Sequence, residues 1–108
     1  MGKQNISQSL HTYLMKNHNG RNHAVSSKTL ETVFHIKGVA VRKAVNSLRS
    51  NGVPVCSDEN GYYYAASQTE INATVAQLDS RIEKISIARN GLANQKDKEG
   101  NRWHENMN

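Results

Sequence analysis

Apolar side chains recur along this chain with two different periods, and the periods mark its elements. In residues 5–17, Ile6, Leu10, Tyr13 and Leu14 are three or four apart, which places them on one face of a helix. NHNGRNHA, residues 17–24, is polar and contains Gly20, so a loop is expected there. A second helix is expected from SSKTLE, where Ser26 or Ser27 can cap it by accepting from a free backbone N–H. Leu30, Val33 and Phe34 form its apolar face. HIKG, residues 35–38, leaves space only for a short turn, which Gly38 permits. A third helix follows with Val41, Ala44, Val45 and Leu48 on one face and Val39, Arg42, Lys43, Asn46 and Arg49 on the other. Asn51-Gly52 ends it, with Gly52 able to take the left-handed cap conformation.

The period then shortens to two. Val53 and Val55 alternate with Pro54 and Cys56, and Tyr62 to Tyr64 form a return strand. Asn60-Gly61 between them suits a tight turn, because both residues tolerate positive φ. Alternation places one or two of the three tyrosines on the core, with the remainder exposed. A fourth helix is expected from Ser67, where SQTE reads as a capping box with Glu70. Its apolar residues Ile71, Val75, Leu78, Ile82 and Ile85 are separated by four, three, four and three, the alternation of a coiled-coil seam. Arg89 takes the next seam position, and Leu92 lies further on. The expected organisation is therefore a domain over 1–66, a helix over 67–93 and a polar, disordered tail over 94–108, with Trp103 its large apolar group.

Composition adds a location for charge. Of the net +5, all resides in residues 1–66, where eight Lys and Arg face three Asp and Glu; the remaining residues are balanced. A basic part beside a neutral part suggests a polyanion-facing module joined to a structural element. One cysteine, Cys56, cannot form an internal disulfide, and no apolar run approaches the roughly 18 residues of a membrane helix. The first ten residues lack the apolar stretch of a signal peptide, and Ile6 breaks the Met-Gly-x-x-x-Ser/Thr pattern of myristoylation. A cytoplasmic protein with no membrane association is expected.

The order helix, helix, short turn, basic helix, hairpin is that of a winged helix-turn-helix, a mainly α fold with a small β-hairpin, here followed by a coiled-coil-like helix. A helix about 10–12 Å across fits the major groove of duplex DNA. Val39, Arg42, Lys43 and Asn46 would face base edges, Arg suiting guanine, Asn suiting adenine and Val39 a thymine methyl. Lys28 and Arg49 are better placed for phosphates, and Lys37, just before the helix, is counted among the DNA-contacting residues. Asn60, Gly61 and Tyr62 would form the wing. SSKTLETVFHIKGVAVRKAVNSLRSNGVPV followed by GYYYA resembles the N-terminal winged helix of the biotin operon repressor family, over roughly residues 8–66. The resemblance implies a DNA-binding transcriptional regulator that reads DNA with its third helix. Two positions depart from the pattern. Lys37-Gly38 stands where that family has a Ser or Thr cap followed by a polar residue, and the wing carries Asp58 and Glu59, which phosphates repel. About 40 residues follow the wing, too few for the family's ligase domain, so neither biotin nor ATP binding is expected.

The functional expectation is a sequence-specific repressor of transcription that binds double-stranded DNA as a homodimer, joined through Ile71, Val75, Leu78, Ile82 and Ile85. Phages and mobile elements commonly carry stand-alone regulators of this size. The alternative is a winged-helix module that binds a protein partner, as a phage accessory factor or an inhibitor of a host machine. A third reading is an accessory that grips DNA without sequence preference. Neither an enzyme nor a cofactor is expected. His11, His18, His23 and His35 have unrelated spacings, Cys56 has no paired cysteine, and no phosphate loop or catalytic carboxylate pair is visible.

Overall fold

The computed structural model describes residues 5–103. It is mainly helical with one two-stranded antiparallel hairpin and a long C-terminal helix, the expected fold class. Two compact units are distinguished, the first ending at Val75 and the second starting at Ala76. The first unit thus extends past residue 66, where the sequence pattern had placed its end.

Helix α1, Ile6–Asn17, is capped by Asn5, whose side chain accepts from the Ser7 amide at 2.8 Å. Helix α2, Ser27–Phe34, is capped by Ser26, whose Oγ accepts from the Thr29 amide at 3.1 Å. Helix α3, Gly38–Ser50, packs on both. Leu10 and Leu14 of α1, Leu30 of α2, and Val41, Ala44, Val45 and Leu48 of α3 form the core with Val25 and Val55. Each large apolar side chain removed from water there contributes on the order of 1.5–3 kcal/mol. Val33, expected on the buried face of α2, is exposed, as is Ile6 at the margin of α1. The turn between α2 and α3 is made by His35, at φ 54°, and not by Gly38, which is the first residue of α3. Gly52, at φ 82°, closes α3 as expected, and the Val53 amide bonds back to the Leu48 carbonyl at 3.0 Å.

Strands β1, Val55–Asp58, and β2, Gly61–Tyr64, pair with Val55 opposite Tyr64 and Asp58 opposite Gly61. The two residues at the tip are therefore Glu59 and Asn60; Asn60-Gly61 was the expected turn, but Asn60 has no positive φ and Gly61 already belongs to β2. The segment before α2 adds a further row of backbone bonds to the other edge of β2. Val25 and Tyr62 exchange amide-to-carbonyl bonds of 2.8 Å, Gly20 donates to the Tyr64 carbonyl at 2.7 Å and Tyr64 to the His18 carbonyl at 2.8 Å. The polar stretch expected as a plain loop therefore makes β2 the middle of three chain segments, with a short 3-10 turn at Arg21–His23.

Both faces of the hairpin are covered. Val55, Tyr62 and Tyr64 lie against the core, while Cys56 and Tyr63 are buried on the opposite face. The start of α4, Gln68–Ala93, covers that second face. The Thr74 hydroxyl accepts from the Ser57 amide at 3.3 Å, and Cys56 Sγ donates to the Glu70 carbonyl at 3.6 Å. Burial pushes the Cys56 thiol and the Tyr63 hydroxyl above their ordinary values. Ser67 caps α4, its Oγ accepting from the Glu70 amide at 3.3 Å. The Glu70 carboxylate accepts from the amides of Ala66 at 2.8 Å and Arg21 at 3.0 Å, and these bonds hold it below the usual carboxylate range.

In the second unit α4 runs on to Ala93, and residues 96–102 then close into a turn instead of the expected disorder. Asp97 Oδ1 accepts from the Glu99 and Asn101 amides, both at 2.9 Å, and Gly100 takes φ 83°. Trp103 is exposed, and His104 lies outside the described residues.

Two outcomes follow. A Cβ on Gly61 would stand 2.1 Å from the Val25 carbonyl oxygen at φ 127°, whereas one on Gly52 would meet nothing within 4 Å. Gly61→Ala is expected to lower stability by about 3 kcal/mol or more, against about 1 kcal/mol for Gly52→Ala, measured by urea unfolding. Equal losses would contradict the close approach. Glu70, depressed in the fold, contributes stability above its ordinary value of 4.5 and loses it as pH falls through the lower folded value. The unfolding midpoints of wild type and Glu70→Gln should therefore differ at neutral pH and draw together as pH falls below 4.5.

Candidate nucleic-acid interface

The burial of one side of α3 fixes what the other side presents. Val41, Ala44, Val45 and Leu48 occupy the inner face, so Val39, Arg42, Lys43 and Asn46 fall on the outer one. All four are exposed, Val39 with 51% of its surface accessible. Lys28, in the first turn of α2, and Lys37, just before α3, are exposed as well. Six of the seven expected contact residues thus lie in solvent on the two helices or their junction.

The seventh does not. Arg49 is half buried, and its guanidinium donates from Nε to the Val55 carbonyl at 2.8 Å and from Nη2 to the Ser57 hydroxyl at 3.1 Å. Expected to face phosphates, it instead ties the last turn of α3 to β1. The sequence does not reveal this, because the acceptors are placed by the hairpin.

Lys37 is the N-cap of α3 and makes no side-chain capping bond, as the residue type implied. The space above Gly38 explains how the helix start is served without one. A Cβ there would meet Glu31 Oε2 at 3.3 Å and Arg42 Nη1 at 3.6 Å. Glu31, from α2, brings negative charge to the positive end of the α3 dipole. It also stands beside the first cation of the outer face. Glu31 was not singled out from sequence; its spacing of seven from Gly38 carries no signal until the turn at His35 is known.

The wing is less acidic than its sequence suggests. The Asp58 side chain is 9% exposed, with Oδ2 3.3 Å from Arg21 Nε. That oxygen makes no hydrogen bond, so the guanidinium compensates it by charge and not by an aligned donor. Oδ1 accepts from the Asn60 amide at 2.8 Å. Glu59 and Asn60 remain exposed at the tip, while Gly61 is held against Val25 and Tyr62 leans on the core, so neither of the latter forms an open wing surface.

Of the histidines, His11 and His18 make side-chain contacts, while His23 and His35 are exposed. His11 stacks on Tyr64 with centroids 5.8 Å apart, and His18 Nδ1 lies 2.8 Å from the His23 carbonyl. Of the expected dimer positions, Ile71 and Leu78 are half buried, and Val75, Ile82 and Ile85 are exposed, as are Ile87 and Leu92. Among the described residues no helix is long and apolar enough to cross a membrane. No protein-family model matches the sequence, and neither a curated protein nor a solved structure matches it significantly.

The two arginines of α3 provide a direct comparison. Arg49→Met should cost about 1–2 kcal/mol, through the lost bonds to Val55 and Ser57. Arg42→Ala should stay within about 0.5 kcal/mol of wild type. Urea unfolding distinguishes them, and equal costs would contradict the assignment.

Proposed function

We propose that this chain is a winged-helix regulator of transcription that binds duplex DNA through the outer face of α3 and represses by occupying its operator. The observation that carries the reading is the division of α3. One face is apolar and buried, and the other presents Val39, Arg42, Lys43 and Asn46 to solvent. Those side chains include the donors that pair with guanine and adenine edges, on a helix of groove-filling width. Lys28 and Lys37 serve phosphates, while Arg49 serves the fold. The likeness of SSKTLETVFHIKGVAVRKAVNSLRSNGVPV to the biotin operon repressor family supports the same reading. So does the concentration of the net +5 in residues 1–66. The neutralisation of Asp58 by Arg21 removes part of the repulsion expected at the wing. On this reading the protein works in the cytoplasm, as a homodimer on a palindromic site.

The test is a titration against DNA flanking the protein's own gene, with unrelated duplex as competitor. Binding should survive the competitor. It should weaken on the order of a hundredfold between about 50 and about 200 mM salt, as expected for roughly four phosphate contacts. Arg42→Ala with Lys43→Ala should lower affinity about tenfold or more with unfolding unchanged. Binding removed by competitor would instead indicate a DNA accessory without sequence preference. No binding at either salt would contradict the proposal in favour of a protein-interaction module, the reading that the uncapped Lys37-Gly38 start and exposed Glu59 favour.

A further inference from the structure

The helix beyond Val75 has little reason to be stable alone. Every residue of 76–93 is exposed except half-buried Leu78. Ile82, Ile85 and Leu92 keep 64%, 65% and 77% of their surface accessible. Ser80, Ser86, Asn90 and Gly91 are weak helix formers, and isolated helices of such length are marginal in water. Charges on its surface do not compensate. Asp79 and Glu83 are four apart and Arg81 and Lys84 three apart, so both neighbouring pairs are of like sign. A helix of this kind is held by covering its apolar stripe.

We propose that a second copy of this chain covers it, with the two helices antiparallel. Val75, Leu78, Ile82, Ile85, Arg89 and Leu92 are separated alternately by three and four, the spacing of a two-helix seam. Arg89 decides the direction. In a parallel pair each seam residue meets its own copy, so two Arg89 guanidinium groups share one layer and no acid flanks them. In an antiparallel pair centred between Ile82 and Ile85, each Ile82 meets Ile85 of the second copy, Leu78 meets Arg89 and Val75 meets Leu92. Asp79 borders the seam on the side that Arg89 of the second copy occupies. Each Arg89 then lays its stem over a leucine and its charge beside an aspartate, twice by symmetry. Arg89 now donates to the Asn90 side chain at 2.9 Å, an exposed contact that leaves the exchange open. Sliding the pair by seven residues either separates Asp79 from Arg89 or draws on Ile71, which is half buried in the first unit. The pairing stands independently of the DNA reading.

Sedimentation equilibrium of the full chain without DNA tests it. Wild type should self-associate to a dimer. Asp79→Arg should weaken the dimer about tenfold, through loss of two equivalent pairs, and so should Arg89→Asp. The two exchanges together should restore the affinity to within about threefold. The orientation has its own test. Leu92→Cys should not crosslink to itself under oxidation, since antiparallel copies hold the two positions roughly 26 Å apart along the axis. Cys56 is buried and does not compete. A monomer at all concentrations would overturn the proposal and leave the stripe to a different partner. A charge exchange that fails to restore association, or ready Leu92→Cys self-crosslinking, would overturn the antiparallel pairing.

Discussion

The burial of Val41, Ala44, Val45 and Leu48 against Leu10, Leu14 and Leu30 sets the orientation of α3, and the exposed chemistry of the first unit follows from it. A helix is rigid about its axis, so fixing four inward positions fixes every outward one. Rotating α3 by one residue in either direction would take Val41 and Leu48 out of the core and bring Lys43 or Asn46 toward it, at a cost of several kcal/mol. Val39, Arg42, Lys43 and Asn46 are therefore held on a common face by this apolar packing. Arg49 adds a second restraint at the far end of the helix. Its bonds to Val55 and Ser57 prevent α3 and the hairpin from shifting independently.

The hairpin is secured from three sides. Its return strand pairs with β1 on one edge and with residues 18–25 on the other, so its backbone donors and acceptors are satisfied across both edges. Gly61 is where the Val25 backbone comes closest, and no side chain fits there. Behind the sheet, Thr74 and Glu70 place the first turns of α4 over Cys56 and Tyr63. Glu70 further joins the Arg21 amide to the helix start. Arg21 in turn faces Asp58 near the tip. A short, firmly backed wing results, with little but Glu59 and Asn60 projecting from it. The outer face of α3 therefore exposes more polar side chains than the hairpin tip does, and the proposed reading of DNA rests on that face.

How much of this was legible in the sequence depended on whether side chains carried the signal. The inner face of α3 is spelled out by residues three and four apart, and the caps at Ser26, Gly52 and Ser67 are residue types with a local mechanism. The Val25–Tyr62 pairing uses backbone atoms, which leave no trace in residue type, so residues 17–24 read only as polar loop. His35 takes the left-handed turn position because α2 and α3 must both reach the core, a tertiary demand that overrides the preference for Gly38. Asp58 and Arg49 read as surface charges until their partners, brought together by the fold, are known. Asp97 organises residues 96–102 through amides two and four positions on, in a stretch whose polarity alone suggested disorder.

The most direct measurement is an amide-resolved NMR titration of the full chain with a short duplex at low salt. The account predicts that the resonances displaced are those of the α2–α3 junction and the outer face of α3, from Lys37 to Asn46, with Lys28. Displacements concentrated instead on α1 or on α4, or none at all while the chain remains folded, would contradict the assignment of α3 as the surface that meets DNA.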